Sequence, residues 1–337
     1  MMIKFPYRVL IGKSPEGDIG AMLEDMRFGK KGAIITDNNM KKLVGAKVAD
    51  ITGAEIIIAD SLEMESLRKL SLSLKGKDYV MGIGGGRSID AAKYAAYLAG
   101  KPWIAFPTVL SHDGVVSSRA SINSGSSKES VEASEPSAII ADMDVLSRAP
   151  YRHMAAGAGD VISNISAVED WKIADKAGKE KYHTVMGELA LLSVKAVQEN
   201  VDDIKKRNQH GMEMLLWGLI SSGFAMNIYG SSRPASGSEH NVSHALDAMG
   251  STALHGEQVA LATIVTVYLQ GGDWKTIKKL MLDIGLPTTA KELSIDRGTM
   301  IKALASAKAV RERYTVLNEV NLKEAKAEKA LADCGII

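Results

Sequence analysis

Over its first 147 or so residues this chain alternates two patterns, and that alternation restricts the fold more than any other feature. Short β-branched runs occur at Ala33-Ile34-Ile35-Thr36, Glu55-Ile56-Ile57-Ile58, Tyr79-Val80-Met81, Trp103-Ile104-Ala105-Phe106 and Ala138-Ile139-Ile140. Amphipathic stretches at 38–48, 62–74 and 89–98 separate the first four. Strands alternating with helices predict a parallel sheet covered on both faces. A Ser-rich run, 115–130, breaks the rhythm and reads as an exposed hairpin or loop. From Tyr151 onward helical periodicity takes over, at 185–200, 212–229, 257–269, 274–283 and 298–309. The expectation is an α/β domain over 1–147 followed by an all-α domain over 148–337. Pro150 marks the boundary by disfavouring helix at the residue before it.

The run Gly82-Ile83-Gly84-Gly85-Gly86-Arg87-Ser88-Ile89-Asp90 follows one of the predicted strands and leads into a helical pattern. Glycines let a ligand approach the backbone, and free N–H groups at a helix start suit a phosphate. Residues Gly84 to Asp90 are therefore candidates for a dinucleotide pyrophosphate, against the plainer reading of a tight turn. Thr108 and Ser111, just past a strand, could hydrogen-bond the same ligand. Asp37, at the end of another strand, could accept from a ribose hydroxyl and would repel a 2′-phosphate, which favours NAD over NADP; it equally suits a helix N-cap. The standard fingerprint opens the first βαβ unit, with its acidic residue about 20 positions later. Here the glycines follow a later strand rather than the first, and Asp37 lies upstream, so the domain is only Rossmann-like. Asp90, read as lying in the first helical turn, could simply complement the helix dipole.

Charge and cysteine content exclude several classes. Lys+Arg 41 against Asp+Glu 40 provides no basic excess for nucleic acid. The single cysteine, Cys334, rules out an intrachain disulfide and a Cys-rich metal site. No apolar run reaches about 18 residues, and the first eight residues lack a signal-peptide pattern. A cytoplasmic protein is expected, with an apolar helical half that could supply a homo-oligomer interface.

A second set of residues suits a divalent metal. Gly157-Ala158-Gly159-Asp160 reads as the opening of a helix over 161–168, with Asp160 either a cap or a ligand. His240 and His244 are four apart, on one helical face. His255 follows within a sixteen-residue window that holds three of the chain's seven histidines. One carboxylate and two imidazoles with an open position make a mixed site suited to Zn²⁺, though spacing alone leaves open which two histidines ligate. H-E-x-x-H is absent, so a metalloprotease is a poor reading. Arg233, seven residues before His240, is either a surface residue or a planar fork for a phosphate.

Five segments together carry a resemblance: 84–90, Phe106-Pro107-Thr108-Val109-Leu110-Ser111-His112-Asp113-Gly114, 157–160, Ser231-Ser232-Arg233-Pro234-Ala235-Ser236-Gly237-Ser238-Glu239-His240 and Leu254-His255-Gly256-Glu257-Gln258-Val259. In this order they resemble the glycerol-1-phosphate dehydrogenases of archaea, relatives of glycerol dehydrogenase and dehydroquinate synthase. The resemblance implies Asp160, His240 and His255 as zinc ligands, with Asp160 also facing substrate. It implies His244 and Asp113 as substrate-contacting catalytic residues, and Gly85, Gly86, Arg87, Ser88, Ile89, Asp90, Thr108, Ser111 and Ser117 as NAD(P) contacts. The implied reaction is reversible hydride transfer between NAD(P)H and dihydroxyacetone phosphate, giving the sn-glycerol 1-phosphate backbone of membrane lipids, with His244 or a water supplying the proton. The nicotinamide and the metal would then face each other across an interdomain cleft. Rival readings are a glycerol dehydrogenase acting on unphosphorylated glycerol, a dehydroquinate-synthase-like lyase and a non-catalytic nucleotide-binding regulator.

Overall fold

A computed structural model describes residues 8–124 and 127–337. Residues 1–7, where no signal-peptide pattern was read, and residues 125–126 of the Ser-rich run lie outside the described residues. The chain divides into two compact units. The first comprises the described residues through Leu110 together with Gly114–Pro150; the second comprises Ser111–Asp113 and Tyr151–Ile337.

The first unit is built on six parallel strands: β1 Arg8–Gly12, β2 Gly32–Thr36, β3 Glu55–Ile58, β4 Tyr79–Gly84, β5 Trp103–Pro107 and, after an antiparallel hairpin of β6 Arg119–Ser124 and β7 Ser127–Glu132, β8 Ala138–Asp142. Their order is β1-β8-β5-β4-β2-β3. Strands β2, β4, β5 and β8 are buried along their whole lengths. That is why they read as continuous apolar runs rather than alternating ones. Helices α1 Glu16–Asp25, α2 Ala46–Thr52, α3 Met64–Ser73 and α4 Gly86–Leu98 lie between strands in sequence. Ile34, Met81, Ile83, Phe106 and Ile140 form the centre of the core. Strand β1, at one edge of the sheet, was not among the predicted runs.

After β3 the chain returns past β2 to lay down β4, and later strands build away on the other side. The carboxyl ends of β2 and β4 therefore flank the topological switch point, where open parallel sheets bind ligands. Asp37 follows β2 and Gly84 ends β4, so sheet order alone brings these two candidates together.

In the second unit all named elements are helical, the longest being α5 Tyr151–Ile162, α6 Asn164–Lys176, α7 Thr184–Gln198, α8 Gln209–Tyr229, α9 Ser238–Ala248, α10 His255–Leu269, α11 Trp274–Ile284, α12 Arg297–Ser306 and α13 Glu324–Asp333. Among the described residues, no helix is long and apolar enough to cross a membrane. One expected helix is displaced. The Gly157–Asp160 segment does not open a helix over 161–168; it lies inside α5. Its glycine serves packing. A Cβ on Gly159 would come within 2.7 Å of the Gly256 carbonyl oxygen, and one on Gly256 within 1.9 Å of that of Ala156. Helices α5 and α10 cross at a distance that only missing side chains allow.

Candidate functional site

The glycine-rich stretch sits where strand becomes helix. Gly84 has φ +148°, and a Cβ there would strike Ser88 at 2.6 Å. Gly85, the N-cap of α4, brings no side-chain cap, so the first N–H groups of the helix remain available for an anion. Thr108 N–H donates to the Gly84 carbonyl at 2.9 Å and holds the loop against β5. Ser88 is buried and donates to Asp37 Oδ2 at 3.3 Å. Arg87 reaches the Asp60 carbonyl at 3.2 Å. Asp37 is an N-cap: its Oδ1 accepts from the N–H groups of Asn39 and Met40.

Asp90 is not in the first turn of α4, which holds no acidic residue. It is buried, pairs with Lys93 at 3.3 Å and accepts from Ser121 N–H at 3.1 Å. Lys93, with no exposed surface, also donates to the carbonyls of Gly114 and Arg119. Asp90 thus anchors the β6–β7 hairpin rather than serving the helix dipole. Ile89 is likewise core, and the buried Ser117 hydroxyl donates weakly to Arg119 at 3.4 Å. Ser111 belongs to the helical unit, not to the sheet unit in which the sequence reading set it.

In the helical unit, three segments remote in sequence meet. Nε2 of His240 lies 3.9 Å from Asp160 Oδ1, and Nε2 of His255 lies 3.7 Å from the same oxygen. One ligand atom from each of Asp160, His240 and His255 falls within 4.8 Å of the others. Ligands about 2.0–2.2 Å from one tetrahedral cation sit roughly 3.3–3.6 Å apart, so the three need close only slightly around an ion. The surroundings point the same way. Asp160 is 4% exposed, and burial, followed by the nearby Asp113 charge, holds its carboxyl well above the usual range. A buried carboxylate facing a second one calls for a cation. Asp113 N–H donates to Asp160 Oδ2 at 2.9 Å, which turns Oδ1 toward the histidines. His240 Nδ1 meets Glu239 at 2.8 Å and His255 Nδ1 meets Ser243 at 3.2 Å, the backing that metal-ligating imidazoles require. The residues present fit a divalent metal.

His244 lies beside this cluster, its ring centre 6.5 Å from that of His240 and 6.3 Å from that of His255. His112 stands edge-on to His255 at 6.5 Å. Asp113 accepts from the Ser222 hydroxyl at 2.8 Å, and Asn164 bonds the same hydroxyl at 3.0 Å.

Arg233 is neither a surface residue nor a fork open to a phosphate. It has no exposed surface and donates to the carbonyls of Asp170 and Tyr314, at 2.8 and 2.9 Å, beside Glu180. Asp170, which the sequence reading missed, organises this region. Its Oδ2 accepts from Ser238 N–H at 2.6 Å, capping α9, and its Oδ1 from Val316 N–H at 2.7 Å. Arg311 reaches Asn241 and Ser236 from the same side. Glu239, Ser243 and Gln258 were missed as well. Glu239 and Ser243 repeat the four-residue spacing of His240 and His244, and that was the available signal.

Residues 10–150 match the family model described as iron-containing alcohol dehydrogenase. The chain is 40% identical over 344 residues to glycerol-1-phosphate dehydrogenase [NAD(P)+] of Pyrococcus horikoshii, covering 100% of this chain and 99% of that protein. It is 41% identical over 325 residues to the enzyme of that name from Methanococcoides burtonii, covering 94% and 91%. Its fold is similar to that of glycerol dehydrogenase from Schizosaccharomyces pombe, with a TM-score of 0.80 at 19% identity, covering 99% of this chain and 90% of that one. Likeness to relatives along nearly the whole chain, together with the five motif segments and the Asp–His–His cluster they build, makes this chain a member of the glycerol-1-phosphate dehydrogenase family.

Proposed function

We propose that this protein is a zinc-dependent NAD(P)H oxidoreductase interconverting dihydroxyacetone phosphate and sn-glycerol 1-phosphate. The observation that carries the reading is the convergence of Asp160, His240 and His255 in a chain whose relatives bear that activity in their names. Asp160 Oδ1 and the two Nε2 atoms would hold the cation, and the α4 N-terminus the pyrophosphate. When bound, the cation supplies fixed positive charge for an oxygen that becomes anionic as the nicotinamide exchanges hydride. Asp113, fixed by Ser222 through one oxygen, can orient a substrate hydroxyl with the other. His244 can relay a proton near neutral pH. Asp37 can take a ribose hydroxyl while capping its helix. A cytoplasmic location belongs to the same proposal, with the single free cysteine in its support. Exposed Val185, Leu192 and Trp217 support self-association.

One observation favours a second reading, glycerol dehydrogenase: the sealed Arg233 removes the cation expected to grip the substrate phosphate. NADH oxidation, assayed with dihydroxyacetone phosphate and with dihydroxyacetone, separates the two. The expected result is strong preference for the phosphorylated ketone, an sn-1 product and loss of activity with chelator. Equal rates on both ketones would favour the rival. His255→Ala should lose metal and activity together; retained stoichiometric metal would contradict the ligand set. Metal analysis reads zinc against iron.

A further inference from the structure

Behind the two nitrogens that face Asp160 stand two different supports. His240 Nδ1 meets a carboxylate, Glu239, at 2.8 Å. His255 Nδ1 meets a hydroxyl, Ser243, at 3.2 Å. A hydroxyl can donate or accept, and its choice decides which His255 nitrogen carries the proton.

The choice is made one residue further back. Ser243 Oγ lies 2.7 Å from Gln258 Oε1, and a carbonyl only accepts. The orientation of the Gln258 amide follows from its other side. Its Nε2 lies 3.1 Å from Asp247 Oδ1, 3.1 Å from Ser251 Oγ and 3.4 Å from the Ala253 carbonyl. A carboxylate and a carbonyl cannot donate, so the amide nitrogen must face them. The Ser243 proton therefore points to Gln258, and the Ser243 lone pairs receive His255 Nδ1–H. The lone pair of His255 is left on Nε2, the atom 3.7 Å from Asp160 Oδ1.

We propose that Gln258, oriented by Asp247, is a positioning residue that sets the tautomer of His255 through Ser243 and so keeps Nε2 open to a cation. The cation itself rests on the metal reading above; the tautomer does not. Ser243 and Gln258 have no exposed surface, so water does not compete for the bond between them.

The test uses the full chain, metal-free, with ¹⁵N-labelled histidine, and reads tautomers from imidazole ¹⁵N–¹H correlations. In the unsubstituted protein His255 should be the Nδ1–H form. Gln258→Leu removes the acceptor, so Ser243 turns its proton onto Nδ1 and His255 moves to the Nε2–H form. His240, held by Glu239, should not change. Zinc affinity measured by chelator competition should fall about 10- to 100-fold. Ser243→Ala, a second variant should the first fail to fold, should leave His255 in a mixture of both forms, again with His240 unmoved. Either of two results would overturn the proposal: His255 staying Nδ1–H in the variants, or His240 and His255 shifting alike. A chain that takes up no zinc defeats the metal reading, while the tautomer comparison still decides this one.

Discussion

The two units make their candidate sites from different materials. In the sheet unit the site is backbone: one continuous stretch, Gly84 to Ser88, offers N–H groups at the end of β4. In the helical unit it is side chains: Asp160, His240 and His255 come from three helices and meet only because those helices cross closely. A backbone site needs local geometry and little support beyond a neighbouring strand. A side-chain site needs every supporting element in place, and here the support reaches from Asp113 to Arg311. Damage to packing should therefore cost the helical unit its site, while the sheet unit should lose stability before it loses its loop.

The strongest way to break this contrast is a pair of alanines. Gly256→Ala forces a Cβ to within 1.9 Å of the Ala156 carbonyl and displaces the turn carrying His255. Metal content should collapse, and kcat should fall about 10³-fold, as when an electrostatic stabiliser is removed. Gly84→Ala, at φ +148°, should instead raise the KM for NADH at least about tenfold and leave metal content unchanged. Equal metal loss in both variants would refute the division of labour. Lys93→Met is the next largest. It strands the buried Asp90 charge and frees the hairpin, and urea unfolding should register a loss of about 3–5 kcal/mol with bound metal intact. A loss below about 1 kcal/mol would mean that the Lys93–Asp90 pair does not anchor the hairpin.

The smallest effect sharpens the comparison from the helical side. Burial, followed by the Glu239 charge, pushes the Asp170 carboxyl up to about 6. Below about pH 4 it is protonated both folded and unfolded. Between about pH 4 and 6 the folded chain keeps a proton that the unfolded chain releases, so this group's contribution falls as pH rises, on the order of 2–3 kcal/mol. Asp170→Asn should lower Tm throughout, since an amide cannot accept from both Ser238 and Val316, and should flatten that slope. An unchanged slope would show that Asp170 is ionised across the window.

Part of this is legible in the sequence. Glycine spacing after a β-branched run exposes a backbone site directly, because the residue types that allow close approach are themselves the signal. Three histidines in sixteen residues flagged the candidate metal cluster for the same reason. Asp160 was flagged too, but its role as a helix opener was misread, since Gly159 looks alike whether it caps a helix or lets another helix approach. Arg233 was misread because sequence does not say which side of a loop faces the core. The supports Glu239, Ser243, Gln258 and Asp170 escaped notice because each acts on a group that folding brings to it.

The division into a sheet-forming half and a helical half, the glycine-rich strand-to-helix loop and the donor types available for a metal were all readable from the order of residues. Periodicity and residue chemistry are local properties, and these features depend on nothing else. Folding was needed to set Asp37 and Gly84 at the ends of two neighbouring strands, to bring Asp160 against two particular imidazoles, and to seal Arg233 away. Each of these depends on strand order or on the distance between helices, which is set by packing over the whole unit rather than by any one segment.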